Sequence, residues 1–343
     1  MNRTKIINIV SGKGGTGKTL LTAVLAEMLG NDGYKVVVVD MDVFVRGLTS
    51  LLYFHKKEIV LANDNELTVS EIFMDKGDFD ISGKSNLSIA RYRSFDVIPS
   101  VSRVDELLEF KDLMPDTKQE ARSIISAMIG KIPNDYDLIL LDSRAGYDEL
   151  IASTHALSDI SICIEEEDDI SKITSDNLIK QLQEDADNPL FRLTNKAQKD
   201  SYTDKEENIG ISNLGKIPFD MDVMRSFGGK SFWIDINKTL YKSALGRAWN
   251  NLSTKMGLGI HIEIIRNSPI GSESVEKKLQ LYSITDRIFI LYGLIIGFFG
   301  ILYGLFGLRG ITNLIFNEQS LALITGLIGF GMSAYFIIFK KKR

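Results

Sequence analysis

Gly12-Lys13-Gly14-Gly15-Thr16-Gly17-Lys18-Thr19 satisfies the pattern G-x-x-x-x-G-K-[ST] and decides the fold class. It follows a short apolar run, Ile6 to Val10, and it opens a stretch, Leu20 to Leu29, whose apolar residues repeat at helical spacing. Strand, glycine-rich loop and helix in that order are the context in which this pattern holds phosphate. Glycines let backbone N–H groups curl around phosphate oxygens, and the helix start adds partial positive charge. Lys18 would reach the terminal phosphates, and the Thr19 hydroxyl would ligate magnesium. The bland alternative, an ordinary glycine turn, needs neither the lysine nor the strand and helix on either side.

Working outward, Lys35 to Asp40 (KVVVVD), Tyr136 to Asp142 (YDLILLD) and Ser158 to Ile164 (SDISICI) are further continuous apolar runs, two of them ending in aspartate. Strands that are apolar without alternation are buried on both faces, as in a parallel sheet covered by helices. The expected fold is α/β, a doubly wound and mainly parallel sheet of the P-loop NTPase type, with ligands outside the carboxyl ends of its strands. The polar region holding Asn63-Asp64-Asn65 and Asp75 to Asp80, then Phe95 to Ile98 and a helical stretch after Asp116, reads as helices and loops decorating that sheet. The acidic run Glu165 to Asp169 reads as a solvated loop rather than a metal site. A helix around Lys238 to Asn250 closes the domain.

Composition sets bounds on function. A net charge of −5, with 25% charged residues, gives no electrostatic case for a nucleic-acid binder. One cysteine, Cys163, excludes an intrachain disulfide framework and a cysteine-cluster metal site, and fits a reducing compartment. His55, His155 and His261 lie far apart, without ligand spacing. The apolar residues after Lys5 are too few for a signal-peptide core, so the N-terminus is expected in the cytosol.

The second lysine of the loop narrows the field: KGGTGKT resembles the deviant phosphate loop of the MinD/ParA ATPases. That resemblance implies that Lys13 crosses a nucleotide-bridged dimer to the partner's phosphates, and that Gly14, Gly15, Thr16, Gly17, Lys18, Thr19 and Leu20 contact ATP. Asp40-Met41-Asp42, followed by Arg46-Gly47-Leu48, looks like the family's switch I, in which Asp42 would orient the attacking water and Asp40 would lie near magnesium. Asp142 resembles the aspartate that holds Mg2+ through water, alongside Thr19. The next residues, Ser143-Arg144-Ala145-Gly146, resemble switch II, with arginine where the family usually has proline. Arg144 could contact phosphate or a partner subunit, or be structural. Leu193-Thr194-Asn195-Lys196 resembles the element that reads adenine, with Asn195 as the contact, and Leu214 to Asp220 resembles a G-x-I-P-x-D segment in which Pro218 and Asp220 would lie beside the base or be plain loop residues. Taken singly, strand-end aspartates are more often turn or cap residues; three of them after a phosphate loop shift the balance.

Ile288 to Leu308 and Ser320 to Phe339 carry no charge, and each is long enough to cross a bilayer as a helix. The alternative is a pair of buried helices. Small residues Gly293, Gly297, Gly300, Gly304 and Gly307 line one face of the first run, which favours close helix packing. Lys340 to Arg343 argues for a cytosolic C-terminus, and two spans return the chain to that side. The expected organisation is a MinD/ParA-like ATPase domain over 1–250, a connector over 251–285, and a transmembrane hairpin with a basic tail over 286–343. The expected location is the inner membrane, multi-pass, with both ends cytosolic.

The expected function is a slow ATP hydrolase using Mg2+, an ATP-dependent homodimer that recruits or regulates a protein partner at the membrane lipid surface. A bacterial tyrosine kinase also combines a P-loop with a membrane hairpin, but in the reverse order and with a C-terminal tyrosine cluster. A membrane component of a partitioning or defence system is a further alternative; nucleic-acid binding is not expected.

Overall fold

In the computed structural model the described residues run from 3 to 264, apart from 59, 80–82, 85, 107–108, 110–112, 198–210 and 230. The hairpin expected at 288–308 and 320–339, with its basic tail and most of the connector, lies outside them. Among the described residues no helix is long and apolar enough to cross a membrane.

The apolar runs become the central strands β1 (Lys5–Ser11), β2 (Val36–Asp40), β7 (Leu138–Ala145) and β8 (Ile160–Glu166). With β5 (Ala90–Tyr92), β6 (Phe95–Ile98), β9 (Leu190–Ala197) and β10 (Asn213–Pro218) they form one eight-stranded sheet, in the order β10-β9-β8-β1-β7-β2-β6-β5. Every pairing in it is parallel except β5 with β6. A separate two-stranded piece pairs β3 (Glu66–Leu67) with β4 (Asn86–Leu87). The region expected to hold only helices and loops therefore contributes strands. Phe95–Ile98 extends the sheet because Val97 pairs with Val38 and Phe95 is fully buried against one face.

Continuous apolar strands feed two cores. Ile7, Ile9, Val36, Val38, Leu138 and Leu140 face one layer, while Ile6, Val37, Val39, Ile139 and Leu141 face the other. The first is covered by α1 (Lys18–Asn31), buried on almost every side as a helix apolar all round must be, and by α9 (Leu240–Met256), whose Trp249 is 2% exposed. The second is covered by α3 (Val69–Met74), α4 (Lys118–Lys131) and α5 (Glu149–Leu157). Each fully buried aliphatic side chain contributes about 1.5–3 kcal/mol. α6 (Asp169–Asp185) packs Leu178, Ile179 and Leu182 on Val10 and Cys163. Just after α9, Ile260 and Ile262 are buried in the first core.

Register places the site. β7 pairs Asp142 with Asp40 of β2 and with Ile9 of β1, so two carboxylates end neighbouring strands beside the glycine loop. Neighbouring strands lie about 4.8 Å apart.

Candidate functional site

β1 delivers the chain to the loop and α1 receives it. Gly15 and Gly17 have φ of 82° and 87°, a left-handed backbone that glycine adopts without strain. Gly12 is glycine for another reason: a Cβ there would lie 2.3 Å from the Thr174 carbonyl carbon of α6. Lys18, the first residue of α1, is 9% exposed and donates from Nζ to Ser11 Oγ at 2.9 Å. Burial lowers its pKa, while the charges of Asp142 and Asp42 oppose that shift. Ser11 in turn donates to the Lys13 carbonyl at 2.7 Å, which ties the loop back on itself. The Thr16 hydroxyl is buried without a hydrogen-bond partner.

Thr19 Oγ1 donates to Asp142 Oδ2 at 2.7 Å, and Thr22 Oγ1 to its Oδ1 at 3.3 Å. Asp40, fully buried, accepts from the Thr49 amide and hydroxyl, both at 2.8 Å, and more weakly from the Asp42 amide at 3.3 Å. Its carboxylate thereby pins the start of α2 (Gly47–Lys56). Burial, with the nearby Asp142 charge adding, pushes Asp40 up to about 7; burial pushes Asp142 up to about 6 against the pull of Thr19 and Lys18. Asp42 Oδ1 accepts from the Val45 amide at 3.1 Å, and its carbonyl from the Arg46 amide at 2.8 Å. Arg46 has φ 58°, and Gly47 lets the turn approach Thr19, whose Oγ1 would be 2.9 Å from a Cβ there.

Two buried carboxylates with raised pKa values and a threonine hydroxyl bonded to one of them are hard oxygen donors short of cationic charge, a set that fits Mg2+. Among the described residues no cluster of three His, Cys, Asp or Glu side chains forms a protein-only metal cage. Mg2+ bound here would take the rest of its ligands from phosphate oxygens and water.

A group whose folded pKa is raised contributes stability below its unfolded value and loses it as pH rises through the folded value. Without nucleotide, Asp142 therefore destabilises the protein increasingly from about pH 4 to above about 6. Asp142→Asn, which keeps an acceptor for Thr19, is expected to raise Tm at pH 8 by roughly 2–4 °C per kcal/mol relieved, and by less at pH 5. Equal Tm changes at both pH values, read by calorimetry, would remove this account.

A pocket lies between α1 and β10. Gly17, Leu20, Asn195, Lys196, Pro218, Phe219, Asp220, Val223, Met224 and Tyr241 line this pocket, which brings together Gly17, Leu20, Asn195 and Pro218 as the sequence implied. Asn195 Nδ2 donates to the Thr16 carbonyl at 2.8 Å, while its Oδ1 is buried without a partner. Asp220 caps α7 (Met221–Ser226) by accepting from the Asp222 and Val223 amides, so its carboxylate is used by the helix. Tyr241, on α9 and 4% exposed, lies in no sequence motif.

The acidic run is a solvated loop only in part: Glu167, Asp168 and Asp169 are exposed, but its first two residues are held by cations. Glu165 is 4% exposed and accepts from Arg192 at 2.7 Å. Lys13 Nζ lies 2.9 Å from both Glu166 Oε2 and Asp168 Oδ2, and Lys196 bonds Glu166 and the Gly15 carbonyl. Hydrogen bonds to Asp168 and Glu166 hold Lys13 above the ordinary lysine value. The run pairs with the loop's cations because β8 ends beside β1, and Asp168 also caps α6 through the Ser171 amide at 2.8 Å. Gly14 faces open space. Arg144 pairs with Asp148 and lies over the Phe44 ring.

With this geometry in view, comparison with known proteins is specific. A family model described as an AAA domain matches residues 4–188. The chain is 26% identical over 287 residues to a putative septum site-determining protein MinD of Mesostigma viride, covering 81% of this chain and 92% of that one. Two solved structures share the fold, each with a TM-score of 0.54 at 21% identity. One is the septum site-determining protein MinD of Pyrococcus horikoshii, complexed with Mg-ADP, with 74% of this chain and 98% of that one covered. The other is a putative plasmid partition protein of Borrelia burgdorferi bound to AMPPNP, covering 74% and 100%.

Proposed function

Because the chain belongs to the AAA-domain family, as a P-loop ATPase of the MinD/ParA type, we propose that it is a membrane-anchored, ATP-dependent dimerisation switch. The observation that carries this reading is the convergence of Lys18, Thr19, Asp40, Asp42 and Asp142 at the carboxyl ends of three adjacent strands. Phosphoryl transfer asks the protein mainly for positioning and charge stabilisation, and these groups are held for both. Lys18 meets the terminal phosphates, Thr19 and Asp142 hold Mg2+ with Asp40 behind them, and Asp42 orients water. The ion, when bound, neutralises charge on the phosphate oxygens. Asn195, Pro218 and Leu20 hold the base, and Gly14 to Gly17 supply amides.

Lys13 carries the switch. In one chain it is paired with Glu166 and Asp168; in an ATP-bound dimer it leaves them for the partner's phosphates. The two states then differ in affinity for a protein partner, which is what any switch requires. The uncharged runs Ile288 to Leu308 and Ser320 to Phe339 anchor the protein in the inner membrane with the ATPase in the cytosol.

The test uses full-length protein recovered from alkali-washed membranes, since absence from that fraction would remove the anchor. Asp42→Ala is expected to lower ATP turnover about 10²-fold and to accumulate an ATP-dependent dimer in detergent. If Asp42→Ala and the parent protein share one oligomer and neither binds nucleotide, the switch reading falls and the chain is a membrane scaffold.

A further inference from the structure

The segment after Asp142 reaches the segment after Asp42 through the Arg144 side chain. Arg144, two residues after Asp142, places its Nη1 3.2 Å from Asp148 Oδ2, and its guanidinium lies 5.5 Å from the centre of the Phe44 ring. Phe44 is two residues after Asp42. Both ends of the contact are tied into hydrogen-bonded elements. Asp148 is the N-cap of α5, its Oδ1 accepting from the Ile151 amide at 2.8 Å, so the anion that holds Arg144 is fixed to a helix start. Phe44 packs on the second core and sits within the turn closed by the Val45 amide on Asp42 Oδ1 and the Arg46 amide on the Asp42 carbonyl. The ring and the Asp42 carboxylate therefore belong to one tight turn, and a shift of the ring shifts the carboxylate.

The guanidinium is one-quarter exposed and the Asp148 side chain 17%, so both contacts are made largely out of water, where a cation over an aromatic face is held more firmly. Arg144 also donates to Met114 Sδ at 3.5 Å, just before α4, while Arg46 donates to the Glu106 carbonyl at 2.6 Å. Both arginines fasten their switch segments to the stretch between β6 and α4.

We propose that Arg144 is a positioning residue for hydrolysis: by holding the Phe44 ring it ties switch I to switch II and sets where Asp42 lies relative to the phosphate loop. This rests on the reading of Asp42 as the water-orienting carboxylate. The guanidinium acts through a planar face, which a lysine ammonium does not reproduce at a stacked site.

The test compares Arg144→Ala, Arg144→Lys, Phe44→Leu, Phe44→Tyr and the double variant Arg144→Ala/Phe44→Leu in the full-length protein. Two readouts are taken: kcat and KM for ATP, and hydrogen exchange of the Val45 and Arg46 amides without nucleotide. Arg144→Ala and Phe44→Leu are each expected to lower kcat about 10-fold with KM changed less than about 2-fold, and the double variant to be no worse than either, since contacting residues are not additive. Exchange at Val45 and Arg46 is expected to quicken while the amides of α4 keep their rates. Arg144→Lys should share the defect, and Phe44→Tyr should restore what Phe44→Leu loses. Unchanged kcat and exchange in Arg144→Ala, or defects that multiply in the double variant, would overturn the proposal. If the parent protein binds ATP without hydrolysing it, the role given to Asp42 fails, and the exchange rates alone decide whether Arg144 holds switch I.

Discussion

Lys18→Ala is expected to abolish measurable ATP binding and to lower turnover by at least about 10³-fold, the largest activity loss of any substitution in the loop. Its ammonium is buried, and among the described residues it donates to the Ser11 hydroxyl, a neutral group. Nearby stand Asp142 and Asp42, whose charges favour the protonated lysine even as burial disfavours it. Removing the ammonium leaves the buried carboxylates Asp40 and Asp142 facing the incoming phosphates with one cation fewer. Repulsion inside a water-poor site is much stronger than the same repulsion in solvent. The measurement is a titration of MgATP by calorimetry on the full-length protein and on Lys18→Ala, with Tm at each step showing whether both are folded. An affinity for Lys18→Ala within about tenfold of the parent's would mean that the phosphates are held elsewhere, and the roles given to Thr19 and Asp142 would fall with it.

The sequence announces such a site through local chemistry, and its limits are those of locality. Ile6 to Val10, Lys35 to Asp40 and Tyr136 to Asp142 read as strands because each is apolar throughout, and each is a strand in the sheet. That Asp40 and Asp142 stand side by side is a matter of register between strands about a hundred residues apart, which no local pattern encodes. β9 shows how a strand escapes notice. Arg192 sits in its middle and interrupts the apolar run, yet it is fully buried, because Glu165 of β8 and Asp176 of α6 neutralise it. Such a charge is tolerable inside only when paired, and the partners come from other elements. The start of the acidic run escapes for the same reason: Glu165 and Glu166 look solvated until β8 is placed beside β1 and Lys13 arrives from far along the chain, while Glu167 to Asp169 are exposed as read. Asn195 and Pro218 were legible through resemblance, whereas Tyr241, which closes the same pocket from α9, carries no motif.

Gly12→Ala is expected to produce the largest stability loss in the site, and the argument for it is steric. A Cβ on Gly12 would meet the carbonyl carbon of Thr174 at 2.3 Å, its oxygen at 2.4 Å and the amide nitrogen of Ser175 at 2.6 Å. All three are backbone atoms of α6, so no side-chain rotation relieves the overlap. α6 resists moving, being capped by Asp168 and seated through Leu178, Ile179 and Leu182 on Val10 and Cys163. Relief therefore requires the loop and the helix to separate by about an ångström, and forcing atoms into a well-packed interior costs about 1–3 kcal/mol and sometimes more. At roughly 2–4 °C per kcal/mol, the drop in Tm is easily measured. The same separation lengthens the contacts of Lys13 with Glu166 and Asp168, which hold that lysine in the single chain. Gly14→Ala isolates the cause: no atom lies within 4 Å of a Cβ at Gly14, so its nucleotide-free Tm is expected to stay with the parent's. Were the two variants to melt at the same temperature, α6 would have to be yielding enough to take a methyl group against its backbone. The close fit of loop to helix could not then be what holds the phosphate site in shape.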